Sequence, residues 1–150
     1  MKLIRRPRRL RELSLAKAMV QECSLNKKDF ILPVFVSDHC EIKEPIESMP
    51  EVYRWSLNAI VDQVEHWKAI GLNAFALFPC VMNEKKCSTG KEAINPDSIS
   101  FQAAKKIKEH HKDILLIADI ALDPFTDHGH DGILDSSGKV DNDLTVEILC

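Results

Sequence analysis

Chemistry-bearing residues are concentrated in one stretch, DIALDPFTDHGHDGILD at 119–135. It holds five carboxylates, Asp119, Asp123, Asp127, Asp131 and Asp135, and two imidazoles, His128 and His130. Carboxylate oxygens suit Mg²⁺ and other hard cations, whereas imidazole would add Zn²⁺ or Mn²⁺. The D-x-D-x-D-G run of a calcium-binding EF-hand is absent. Asp123 and Asp131 are the candidate cation contacts. His128-Gly-His130 is an H-x-H pair, a pattern some barrel hydrolases use for metal. Here it lies in a Gly/Asp-rich loop, where hydrogen bonding within the loop is the stronger reading. Gly129 and Gly132 read as turn residues with conformations other side chains cannot reach.

Asp119 stands apart. It falls within ILLIADIAL (114–122), an otherwise apolar run, near the carboxyl end of the strand this run predicts. A buried carboxylate is costly unless paired or hydrogen-bonded. In parallel α/β folds the carboxyl ends of the strands carry the active site. Asp119 is therefore a candidate catalytic residue; the competing reading is a structural aspartate bonded to the next loop. Lys85, Lys86 and Lys91 flank another loop on the carboxyl side of a strand and read as solvated, with contact to an anionic substrate as the alternative. His110 and His111 suit a helix C-terminus and need no further role.

The elements that must position these groups are legible from apolar runs. FILPVFV (30–36) and AFALFP (74–79) join 114–122 as strands buried on both faces, as in parallel sheets. Pro33 costs one ladder donor. Residues 37–55, with Pro45 and Pro50, read as a loop. Ser56 is the expected N-cap of a helix with Leu57, Ile60, Val61, Val64 and Trp67 on one face, ended by Gly71. Asn95 is the expected cap of a second helix, with Pro96 at its first position and Ile99, Ala103 and Ile107 on its packed face. Asp141 or Asn142 caps a third. Alternating strands and helices of this length imply parallel strands joined by right-handed crossovers.

Composition narrows the class. The chain has 150 residues, 45% hydrophobic and 29% charged, with five glycines, seven prolines and a net charge of −3. That excludes collagen, low-complexity disorder and a disulfide-dense miniprotein. The negative charge argues against nucleic-acid binding through overall charge, and the basic arm (Lys2, Arg5, Arg6, Arg8, Arg9, Arg11) has no aromatics to stack on bases. Ala69–Asn83, the longest apolar stretch without a charge, has 15 residues, short of the roughly 20 that span a bilayer. Five cysteines, an odd count with no C-x-x-C, suggest reduced thiols and a cytoplasmic protein. No glycine-rich nucleotide loop or nucleophile elbow occurs.

With these pieces in order, the chain resembles the porphobilinogen synthase (5-aminolevulinate dehydratase) family. DIALDPFTDHGHDGIL is similar to that family's metal-region signature. RRPRRLRE resembles its arginine-rich arm, DFILPVFV its first strand, and SMPEVYRWS its SMPG segment, with Glu51 where the segment has glycine. GLNAFALFP, KEAIN and KVDNDLTVEIL resemble the pieces that follow, so the likeness covers almost the whole chain.

The resemblance implies an α/β fold, the N-terminal portion of a (β/α)₈ barrel preceded by an extended arm. Residues 1–25 would be arm and short helix, and 26–150 the first three β/α units of an incomplete barrel. It implies condensation of two molecules of 5-aminolevulinate to porphobilinogen with loss of two waters, through Schiff bases on two lysines, which make the adjacent carbon nucleophilic. It implies a homo-octamer assembled through the arm. Zinc-using relatives carry three cysteines where this chain has Ala121, Asp123 and Asp131. Thiolate-bound catalytic zinc is therefore not expected, and Mg²⁺ or a monovalent cation is. Asp119 matches the active-site aspartate beside a substrate amino group, and Phe78 an aromatic at the barrel mouth. Both Schiff-base lysines fall beyond residue 150 in the family pattern, so the 150 residues alone are expected to be inactive. The competing readings are a truncated relative binding metal or a partner without catalysis, and a small metal-dependent hydrolase using His128, His130 and Asp119.

Overall fold

A computed structural model describes residue 4 and residues 7–150; Lys2, Arg5 and Arg6 of the basic arm lie outside the described residues. The arm contributes two short helices, α1 (Arg9–Glu12) and α2 (Ser14–Val20), which fold against each other. Leu10, Leu13, Leu15, Met19 and Val20 stay exposed.

The body is a five-stranded sheet in the order β2–β3–β1–β4–β5, from β1 (Leu32–Ser37), β2 (Lys43–Pro45), β3 (Tyr53–Ser56), β4 (Ala74–Cys80) and β5 (Leu115–Ala118). β3, β1, β4 and β5 are parallel, and β2 lies antiparallel on β3. Helices α3 (Ile60–Ala69) and α4 (Ile99–His110) supply the packed layer, and α5 (Asn142–Leu149) follows the acidic loop. The core sits between sheet and helices: Val34, Val36, Phe75 and Leu77 from the strands meet Ile60, Val64, Ile99, Ala103 and Ile107. The helical spacings read from the sequence are these packed faces. Trp67 of α3 stands edge-on to Trp55 at 6.0 Å and tilted against Phe75 at 5.8 Å, tying α3 to β3 and β4.

Several expectations need correction. Residues 37–55 are not all loop, because β2 and most of β3 lie there. These strands are too short, and too close to Pro45 and Pro50, for their alternation to stand out. The strands are not buried on both faces: β4 alternates, with Phe75, Leu77 and Pro79 buried and Ala76, Phe78 and Cys80 half-buried. Helices cover one face, and the other carries the half-buried side chains of Ala76, Phe78 and Cys80. Pro33 is tolerated because β3 pairs with β1 only from Phe35 onward, leaving Pro33 a free side. Ser56 ends β3, and its Oγ accepts from the Ala59 N–H (3.2 Å), making a turn before α3 rather than capping it. Asn95 likewise accepts from the Asp97 N–H (3.0 Å) in an Asx turn, and α4 begins at Ile99 with Ser98 as N-cap. Asp141 does cap α5, accepting from the Leu144 N–H (3.1 Å). Gly71 ends α3 as expected: at φ +96° it gives the Schellman pattern, Gly71 N–H to Lys68 O (2.8 Å) and Leu72 N–H to Trp67 O (3.0 Å).

Candidate functional site

The carboxyl ends of the parallel strands open onto a cavity of about 790 Å³. Sheet register builds its floor. Phe35 of β1 lies between Arg54 of β3 and Phe78 of β4, so these side chains share one face in one row. Ala118 pairs with Leu77, which puts Asp119 at the next position of that row, beyond Phe78. The Phe35 and Phe78 rings meet at 5.6 Å, tilted by 31°. Arg54, Phe35, Phe78, Asp119 and Asp123 all line the cavity, with His39, Glu44, Cys80 and Lys86.

Asp119 departs from its expected setting. β5 ends at Ala118, so Asp119 is the first residue after the strand, and it is exposed. The cause is its place on β5, the outermost strand among the described residues. Asp123 is raised above the ordinary carboxylate range, chiefly by partial desolvation and then by the negative charges of Asp131 and Asp119.

Asp131 is placed differently from Asp123. It does not line the cavity, and its Oδ1 accepts the Leu122 N–H at 2.7 Å, closing the acidic loop. Among the described residues no three Asp, Glu, His or Cys side chains converge as metal ligands. His128 and His130 are engaged locally: the His130 N–H donates to His128 Nδ1 (3.2 Å), and His128 Nε2 lies 3.3 Å from the Ser88 carbonyl. Gly129 has φ +72°. Gly132 serves space instead of turn geometry, since a Cβ there would sit 2.5 Å from Val140 Cγ1.

The sequence reading missed Arg54, Glu44, His39 and Cys80, which lie in or beside segments read as loop or strand end. Arg54 Nη1 stands 3.6 Å from Glu44 Oε1, and Glu44 Oε2 is 3.1 Å from His39 Nε2. Burial raises the Cys80 thiol, against a hydrogen bond from Arg54 that lowers it. The alternation of Tyr53–Ser56 is the one signal pointing to Arg54, and at four residues it is too short to separate a strand from a loop.

Parallel strands with a covering helical layer, and a polar site at their carboxyl ends, define a parallel α/β chain, the arrangement with which a (β/α) barrel begins. A family profile described as delta-aminolevulinic acid dehydratase matches residues 4–150. The enzyme of that name from Chlamydia pneumoniae is 42% identical over 98% of this chain and 44% of its own length. That from Helicobacter pylori is 40% identical over 98% of this chain and 45% of its own. The solved structure of the Toxoplasma gondii ME49 enzyme (porphobilinogen synthase), in complex with its reaction product porphobilinogen, superposes with a TM-score of 0.91 at 42% identity. It covers 99% of this chain and 42% of that one. The chain belongs to the delta-aminolevulinic acid dehydratase family, and it spans less than half the length of these relatives. The (β/α)₈ resemblance is borne out over this portion.

Proposed function

We propose that the chain forms the aspartate-bearing part of a porphobilinogen-forming site, which condenses two molecules of 5-aminolevulinate with loss of two waters. The observation that carries this reading is the 42% identity running through 98% of the chain, with Asp119 and Phe78 brought onto one cavity. The Asp119 carboxylate would hold a substrate ammonium and accept its proton when the amine is needed as a nucleophile. Phe78 would pack against the substrate's carbon chain. The imine that serves as electron sink is assigned to the lysines that the family pattern places after residue 150. Neither Lys85, Lys86, Lys91 nor Lys139 stands at a matching position.

The donor set suits a hard cation. Carboxylates populate the loop, and its sequence from Asp119 to Asp135 contains no cysteine. Mg²⁺ keeps several waters and needs only one or two carboxylates, a demand that Asp123 meets, with Asp131 adding charge from the loop. Bound there, the ion would neutralise the mutually repelling aspartates and order the loop. The exposed apolar residues of α1 and α2 support assembly through the arm, as in the family's octamer. Free thiols at all five cysteines suit a cytoplasmic protein. Among the described residues no helix is long and apolar enough to cross a membrane.

The test is porphobilinogen formation from 5-aminolevulinate by the protein expressed from its natural reading frame. Asp119→Asn should lower kcat by at least about 100-fold, and chelation should be reversed by Mg²⁺. The 150-residue chain alone, treated with 5-aminolevulinate and borohydride, should gain no mass. Absence of porphobilinogen from the natural product would overturn the reading.

A further inference from the structure

Thr126 places a hydroxyl where an apolar residue of the same shape would fit. It lies in the acidic loop between Asp123 and Asp131 and is 1% exposed; its chain neighbours Leu122 and Phe125 are 0% and 4% exposed. Its methyl faces Gly90, where an added Cβ would stand 3.6 Å from Thr126 Cγ2. A buried hydroxyl is costly unless hydrogen-bonded, and valine would fill the same volume without that cost. The hydroxyl donates to the His130 carbonyl at 2.9 Å. The residue thus adds to its apolar fit a tie to the far arm of the loop.

That tie is one of two across the neck of the loop, and both lead to Leu122. The Leu122 carbonyl accepts from the Phe125 N–H (2.9 Å) and the Thr126 N–H (3.0 Å), and the Leu122 N–H donates to Asp131 Oδ1 (2.7 Å). The arm returning through Asp127, Gly129, His130 and Asp131 is largely exposed, so burial holds it little and the two ties hold it instead. Asp123 follows Leu122 directly and lines the cavity with Asp119. Fixing the Leu122 peptide therefore fixes the direction in which Asp123 leaves it. The Asp131 tie rests on a carboxylate, for which water and cations compete. The Thr126 tie joins two uncharged groups in a part-buried setting.

We propose that Thr126 is the positioning residue of the acidic loop: its hydroxyl, through the His130 carbonyl, holds the returning arm against Leu122 and so keeps Asp123 on the cavity. Its consequence for turnover rests on the proposed reaction; its hold on the loop does not. No bond is made or broken at Thr126, and it touches neither substrate nor cation. It acts through Asp123, whose carboxylate it presents.

The experiment separates the hydroxyl from the methyl, in the protein expressed from its natural reading frame. Thr126→Val keeps the shape and removes the hydroxyl; Thr126→Ser keeps the hydroxyl and removes the methyl. Hydrogen exchange read at the Leu122 amide reports closure of the neck. Thr126→Val should speed it at least about fivefold, the worth of one hydrogen bond, and Thr126→Ser less than about twofold. Mg²⁺ titrated by calorimetry should bind about three- to tenfold more weakly to Thr126→Val and within about twofold of the wild type to Thr126→Ser. If Thr126→Val does not fold, Thr126→Ser against Thr126→Ala, which differ only in the hydroxyl, makes the same comparison. Wild-type exchange in Thr126→Val, or equally fast exchange in Thr126→Ser, would overturn the inference. Faster exchange in Thr126→Val with unchanged Mg²⁺ affinity would overturn the step to Asp123. Both readouts are taken without turnover. A protein that passes them but makes no porphobilinogen therefore supports Thr126 in the loop and counts against the reaction.

Discussion

Glu51 carries the strain of a turn written for another residue. Met49–Pro50–Glu51–Val52 closes with the Val52 N–H on the Met49 carbonyl at 3.1 Å. Proline takes the second position, and Glu51 takes the third at φ +64°, the one positive φ of a non-glycine among the described residues. This is the type II pattern, whose third position asks for glycine. The family's SMPG segment has glycine there, so the turn is kept and its residue changed. A side chain in this region costs about 1–2 kcal/mol, and glycine returns about 0.5–1 kcal/mol of that to the unfolded chain. Glu51→Gly should therefore raise stability by about 0.5–1 kcal/mol, seen as a higher urea midpoint with unchanged slope; a lower midpoint would refute the strain. Asp135 gives a pH-dependent counterpart. Its Oδ1 accepts from the Ser137 hydroxyl (2.7 Å) and from the Ser137 and Lys139 N–H groups (2.7 and 3.0 Å), which hold it below the ordinary carboxylate value. A pKa lower in the folded than in the unfolded state contributes stability above about pH 4 that is lost as the pH falls through the folded value. The Ser137 and Lys139 amide resonances should titrate together below pH 4. Titration at the unperturbed value would mean that these hydrogen bonds do not persist in solution.

Helices and strands were legible where burial imposes a period. Ile99, Ala103 and Ile107 are all buried, as their spacing requires, and Gly71 stops α3 because only a positive φ completes its terminal hydrogen bonds. Starts were less legible than stops. Ser56 and Asn95 have the side chains of caps, but each makes a turn one step before its helix, and sequence does not distinguish the two uses of the same hydrogen bond. The link between α3 and α4 was also hidden. His111 follows α4 and fits the bland reading of a cation at a helix end, yet it is only 5% exposed. Its ring reaches across to α3, with Nε2 at 3.0 Å from the Val61 carbonyl and Nδ1 at 3.3 Å from Glu65 Oε2. Removing it leaves a buried carbonyl without its partner. His111→Leu, close in size, should cost about 1–3 kcal/mol in urea unfolding. A cost under about 0.5 kcal/mol would show that packing, not the hydrogen bond, joins the helices.

At the scale of the whole molecule, the two ends of the sheet are unequal. On one side β2 lies antiparallel against β3 and ends at Pro45, a short strand that blunts the edge. On the other, β5 pairs only with β4. Beside it Leu115 and Ile120 are 58% and 68% exposed. Asp119 sits between these features, which explains why its place in an apolar run suggested burial while its side chain meets solvent. The apolar run is real, but among the described residues nothing packs on that side. The same asymmetry predicts behaviour. An unprotected parallel edge with apolar flanks is a template for pairing with another chain. The 150-residue chain prepared alone should self-associate with rising concentration in sedimentation runs. Leu115→Lys with Ile120→Lys, both at exposed positions, should weaken that association at least about threefold while shifting folding stability by no more than about 0.5 kcal/mol. The arm is common to both proteins, so any association through α1 and α2 cancels in the comparison. Equal self-association of the two would place the sticky surface elsewhere and clear the β5 edge.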